Sequence, residues 1–214
     1  MKSSSILQLL VRQTSAWSSL LVPRIMQPER VVQGLNAAGL RSILAGTHAT
    51  NAWTGRVRAT MEVEIVVDAR HHKKAVCAVK LAFPHLQARN HGACTQFLDR
   101  DTDQVVIDLI KSESVLLRAV FGRKFFRQIA VAGERLLIPD LEAAAAMKFA
   151  AMVSDDRPRA DKLQDAADFA RLLVANPKIR LGKLEALGEF VYPGGGREIL
   201  RLVTAIRKGE PLVF

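Results

Sequence analysis

Cysteine is nearly missing from this chain: Cys77 and Cys94 are the two in 214 residues. They form no CxxC pair, and no neighbouring residues complete a zinc set. A disulfide framework and a zinc module are thereby excluded, and both residues read as reduced thiols of a cytoplasmic protein. Histidine is no better placed for metal. His71 and His72 are adjacent and would point apart on a helix, while His85 and His91 are scattered among loop residues. Aromatic residues make up 6% of the chain. None is interleaved with the basic patch Arg123, Lys124 and Arg127 except Phe125 and Phe126, which suit a core better than a base-stacking platform. No apolar run reaches about 18 residues, so no membrane span is expected. Internal repeats and long low-complexity segments are also absent.

Acids are missing from the first 28 residues, which are rich in serine and carry Lys2, Arg12 and Arg24. That composition also suits a transit peptide. The reading preferred is an N-terminal extension over 1–27 with a helix along Ile6, Leu9, Leu10, Gln13 and Trp17.

What the chain does have is apolar mass and positive charge. Hydrophobic residues are 49% and charged residues 24%, ordinary for a globular protein, but the net charge is +10. The length suits one domain with a small appendix. The charge favours phosphate-bearing partners such as nucleotides or RNA and leaves the fold open.

The most informative stretch runs from Gly46 to Asp68. Before it, Pro28 opens a helix that Gly39 ends, and Leu40–Ala45 reads as a short buried strand. Gly46 permits an unusual turn. Thr47 can cap the following helix, whose first amides suit an anion. A basic loop with Arg56 and Arg58 leads into a strand over Met61–Val67. Alternation puts Glu62 and Glu64 on one face and Met61, Val63 and Ile65 on the core face. A helix over Lys73–Ala82 follows, then strands over Thr95–Leu98 and Gln104–Ile110 joined by the polar turn DRDTD. Asp108 interrupts the apolar run VVIDLI, and an acid there is costly to bury without a partner or a metal.

Further on, a helix is expected over Glu113–Phe121 and short strands over Gln128–Ala132 and Arg135–Ile138. From Pro139 the period becomes helical, with helices over Leu141–Met152, Leu163–Val174, Leu184–Phe190 and Glu198–Arg207. Pro193-Gly194-Gly195-Gly196 reads as a hinge or linker between the last two. The division expected is a core over 28–138 and a helical part over 139–214.

Such a layout supports phosphate chemistry. Glu62 and Glu64 on one strand and Asp108 on another can converge on divalent cations, which borrow further oxygens from substrate phosphates. Gly46 and Thr47 would hold phosphates through backbone amides. Arg56 or Arg58 would neutralise phosphate charge.

These features, in this order, resemble the minimal nucleotidyltransferase superfamily, close to the AbiEii-type toxins and their bacterial relatives. The matching residues are Gly46-Thr47-His48-Ala49, Arg58-Ala59-Thr60, Glu62-Val63-Glu64 and Asp108. Lys148, then Arg157 or Arg159, then Asp165 follow in the helical part. The resemblance spans about Pro28 to Leu173. It implies an α+β fold with a mixed, polymerase-β-like sheet flanked by helices and a helical C-terminal part. It also implies Mg²⁺ or Mn²⁺, an NTP substrate, and transfer of a nucleoside monophosphate to an RNA, protein or small-molecule acceptor. Glu62, Glu64 and Asp108 would be the catalytic metal ligands, and Lys148 would approach the nucleotide.

Three departures stand out. Thr47 takes the second position of the glycine pair, Glu62 and Glu64 stand where the family uses Asp, and Asp161-Lys162 reverses a K-D pair. A Glu reaches about 1.5 Å farther than an Asp, whereas a metal site tolerates about 0.5 Å of misplacement. The departures leave a second reading open: a catalytically degenerate member that binds nucleotide or RNA, or serves as a toxin–antitoxin-type partner.

Overall fold

The structure is a computed structural model that describes residues 26–122 and 125–214. The expected N-terminal helix and two members of the basic patch, Arg123 and Lys124, lie outside the described residues. Two compact units are present. One comprises residues 26–113 with Arg127–Ile138, the other Ser114–Phe126 with Pro139–Phe214.

The first unit is built on a five-stranded mixed sheet. Helix α1 (Pro28–Ala37) precedes strand β1 (Ser42–Leu44) and helix α2 (Gly46–Thr54). Then come β2 (Val63–Val67), α3 (His72–Ala82), β3 (Leu86–His91), β4 (Cys94–Asp99) and β5 (Val105–Lys111). The spatial order is β1-β2-β5-β4-β3. The β2–β5 pair is parallel and the other three are antiparallel. Alternation along the strands separates two faces. Val63, Ile65 and Val67 of β2, Ile107 and Leu109 of β5 and Phe97 of β4 are buried in one core. Val31, Val32 and Leu35 of α1, Ala49 and Ala52 of α2, and Ala75 and Val79 of α3 complete it. A hairpin of β6 (Phe126–Val131) and β7 (Glu134–Pro139) adds Val131, Leu136 and Ile138.

Two expectations here need correction. Strand β2 begins at Val63, not Met61, and Met61 is 36% exposed rather than a core residue. The reason is local: the Thr60 hydroxyl bonds both the amide and the carbonyl of Glu62, each at 3.3 Å, which occupies the backbone groups a strand would use. Strand β3 went unseen because LQARNH is an edge strand with polar side chains on a mostly exposed ribbon.

The second unit contains α4 (Val115–Gly122), α5 (Leu141–Val153), α6 (Arg159–Ala175), α7 (Leu181–Gly188) and α8 (Gly195–Lys208). Alanine at 143–146 lets α5 be approached closely, with Phe149, Met152, Phe169, Leu172, Leu184, Ile199 and Leu202 filling the interior. The glycine run is not a hinge. Gly195 and Gly196 open α8, and a Cβ on them would lie 2.4 Å from the Gly188 carbonyl and 2.6 Å from the Glu185 carbonyl. Only hydrogen fits where α7 and α8 meet. The Glu189 carboxylate then accepts from the amides of Gly194 and Gly196, each at 3.0 Å, and caps α8.

Candidate active site

The site grows from the end of β1. The Ala45 amide bonds the Glu64 carbonyl at 2.8 Å, which ties this end to β2. Gly46 then turns at φ +57° and begins α2. The turn brings Gly46 against the Glu64 carboxylate so closely that a Cβ on residue 46 would sit 1.8 Å from its Oε1. Glycine is required twice over, by conformation and by space.

Thr47 does not cap α2. The N-cap is Ala45, without a side-chain bond, and Thr47 lies inside the first turn. Its buried hydroxyl accepts instead from the Arg58 guanidinium. Asn51 fixes the backbone of the same arginine: its Nδ2 donates to the Arg58 carbonyl at 2.9 Å, and its Oδ1 accepts from the Arg58 amide at 3.0 Å. The basic loop is therefore fastened to α2 along one side, with Arg58 half-buried above the first turn and Arg56 exposed. His48 is buried, and its Nδ1 has no hydrogen-bond partner among the described residues. Burial holds its pKa down at about 4; a hydrogen bond with the Glu62 backbone works the other way, and the Arg58 charge adds to the depression.

Glu64 and Asp108 are Cα partners on the parallel strands β2 and β5. They share the sheet face opposite the core, and the row continues through Gln96 of β4 to Arg89 of β3. Both acids are half-buried. The Cys94 thiol on the same face has its pKa raised, by burial first and by the Asp108 charge second. Glu62 precedes the strand and is exposed. Among the described residues, no three His, Cys, Asp or Glu side chains converge closely enough to hold a metal ion.

Lys148 belongs to the helical unit. It is 7% exposed, and its Nζ lies 2.8 Å from Asp165 and 2.9 Å from Asp168. Arg157 reaches Asp165 at 2.8 Å and Arg171 reaches Asp168 at 3.1 Å. Sequence reasoning singled out Lys148, Arg157 and Asp165 but missed Asp168. The signal was there: Asp165 and Asp168 are three apart, which puts both on one side of a helix. It also gave no role to Asn51 and none to His48 beyond quoting it in the matching stretch. Their signal is that the apolar side of α2 is only the small pair Ala49 and Ala52, with polar residues around it.

The fold is a mixed α+β nucleotidyltransferase fold. The antibiotic-resistance factor ANT(2'')-Ia shares it in two structures. Its solution structure is 14% identical, with TM-score 0.52, over 85% of this chain and 95% of that one. Its crystal structure in complex with adenylyl-2''-tobramycin is 13% identical, with TM-score 0.50, over 84% and 94%. An antigenic nucleotidyltransferase-like protein from Paracoccidioides brasiliensis is 14% identical with TM-score 0.46 over 79% and 94%. No protein-family model matches the sequence, and no curated protein matches it significantly. Among the described residues no helix is long and apolar enough to cross a membrane.

Proposed function

We propose that this chain transfers a nucleoside monophosphate from an NTP to an acceptor on an RNA, a protein or a small molecule. The observation that carries the reading is the pairing of Glu64 with Asp108 directly beside the turn at Gly46. Like charges opposite one another on neighbouring strands repel, and a divalent cation relieves both. Mg²⁺ typically takes one or two protein carboxylates and completes its shell with substrate phosphates and water. The Glu64–Asp108 pair fits that partial donor set. Mg²⁺ or Mn²⁺ bound there would supply charge neutralisation at the phosphates and activation of the attacking oxygen.

The chain's own residues do the positioning. Gly46 presents backbone rather than side chain at the start of α2, where the amides of Gly46 and Thr47 favour an anion. Arg58, fixed by Thr47 and Asn51, and Arg56 on the same loop offset phosphate charge. Glu62 lies exposed just before β2 rather than with the Glu64–Asp108 pair, and the smallest loss of the three is expected when it is neutralised. Lys148 acts in this reading by holding Asp165 and Asp168 together inside the helical unit rather than by touching the nucleotide.

The test is incubation of the full chain with labelled NTPs, Mg²⁺ and a panel of acceptors including tRNA and small polyols, alongside calorimetric titration of NTP. Mg²⁺-dependent NTP binding and transfer that falls at least 100-fold in Asp108→Asn and Glu64→Gln are expected. No Mg²⁺-dependent binding by folded protein overturns the proposal.

A second reading is favoured by one observation: the longer arm of Glu64 places its carboxylate over Gly46, the position a phosphate would approach. In that case the chain binds nucleotide, RNA or a toxin–antitoxin-type partner without transfer. Nucleotide binding would persist without turnover, and Glu64→Ala would leave the cellular activity intact.

A further inference from the structure

A concave region lies wholly within the helical unit. It is a cavity of about 380 Å³ at the first turn of α6, with Arg157, Arg159 and Lys162 on one side and Leu163, Val213 and Phe214 on the other. That volume lies within the range of small-molecule sites. No acid lines it.

The charges are arranged unequally. Arg157 is held by the buried Asp165, so its position is fixed before any ligand arrives. Asp165 and Asp168 are two negative charges met by Lys148, Arg157 and Arg171, three positive ones. The cluster keeps one positive charge in excess, and Arg157 carries it to the cavity wall. Arg159 and Lys162 have no ion pair among the described residues and add two more cations. The apolar wall is also unusual. Leu163 is 54% exposed, Val213 70% and Phe214 40%. The tail carrying the last two is pinned, because Arg201 donates to the Val213 carbonyl at 2.7 Å and the Glu210 amide to the Ala205 carbonyl at 2.9 Å. Three cations beside three uncovered apolar side chains complement a molecule that is charged at one end and greasy at the other.

We propose that this cavity binds a small amphipathic anion, an acyl or aryl body with a phosphate or carboxylate head. The head sits among Arg157, Arg159 and Lys162, and the body lies on Leu163, Val213 and Phe214. The site is built from residues of the helical unit alone, and the proposal does not depend on the chemistry of Glu64 and Asp108. Phosphate alone satisfies only the cationic half and leaves the apolar side chains in water. A simple alcohol of the same length satisfies only the other half.

The full chain titrated with decyl phosphate below its micelle concentration, followed by calorimetry and by NMR of the Leu163 and Val213 methyl groups, tests this. Saturable binding with shifts at both methyls is expected, with inorganic phosphate and 1-decanol each at least 10-fold weaker. Lys162→Glu should weaken decyl phosphate at least 10-fold and Phe214→Ala about 3-fold, with circular dichroism unchanged. Lys162 is half-buried with no ion pair among the described residues to lose and Phe214 is exposed, so both variants are expected to fold. Absence of binding, equal binding by Lys162→Glu, or equal binding of inorganic phosphate overturns the proposal. So does an RNA oligonucleotide that binds more tightly and loses affinity in the same variant, which would make the surface a nucleic-acid contact.

Discussion

Two pairs of acids define the two units, and they are treated in opposite ways. In the helical unit, Asp165 and Asp168 sit one turn apart on α6 and are nearly sealed from water, with Lys148 bridging them and an arginine on the far side of each. In the sheet unit, Glu64 and Asp108 face each other across two strands, half-open, beside a helix start that presents backbone. The first pair is compensated by side chains folded in with it, so its charge is spent on the fold. The second places two acids side by side on a half-open face, and under the proposed function a cation would meet them there as Lys148 meets the first pair.

The difference can be broken from either side. Lys148→Met removes the shared counter-charge and leaves two buried carboxylates, so a loss of about 3–5 kcal/mol is expected in urea unfolding. A loss below about 1 kcal/mol would mean that water reaches these acids. Next in size is the pH response of the sheet unit. The folded-state pKa of His48 is about 4 against an ordinary 6.5. Below pH 6.5 the unfolded chain takes up a proton that the folded chain refuses. Stability is therefore full above about pH 6.5 and falls toward pH 4. The shift corresponds to at most about 3 kcal/mol. His48→Gln should flatten that slope in unfolding measured between pH 7 and 4.

Gly195→Ala forces a methyl into the α7–α8 contact and should cost about 1–3 kcal/mol by thermal unfolding. An unchanged melting temperature would show that the contact can open. Smallest of all is Asp108→Asn. Neutralising one member of a like-charged pair should change stability by less than about 1 kcal/mol, in the stabilising direction. The same replacement at Asp168 should destabilise clearly. Equal effects at the two positions would erase the distinction between the units.

Much of the fold was legible in the residues. Pro28 and Gly39 bracket α1, the polar DRDTD turn separates β4 from β5, and VVIDLI announces a buried strand with an acid in it. Alternation put Val63 and Ile65 inward and Glu64 outward, as found. What escaped has a common cause. Strand β3 is held by its neighbour's backbone rather than by its own side chains. Met61 left the core because a threonine hydroxyl claimed the adjacent backbone. The glycine run looked like slack because its purpose, letting α8 approach α7, involves atoms outside that run. Thr47 looked like a cap because nothing in its own turn announces that Arg58, eleven residues later, will take its hydroxyl.

Local pattern alone settled most helices, the strands with apolar runs and which acids face away from the core, because periodicity and turn chemistry act over a few neighbours. Only the packed molecule decided that Glu64 lies against Gly46 and beside Asp108, that Asn51 fastens the basic loop, and that Lys148 is enclosed by Asp165 and Asp168. Those contacts join segments far apart in the chain, and their energies depend on burial, which no single stretch of sequence contains.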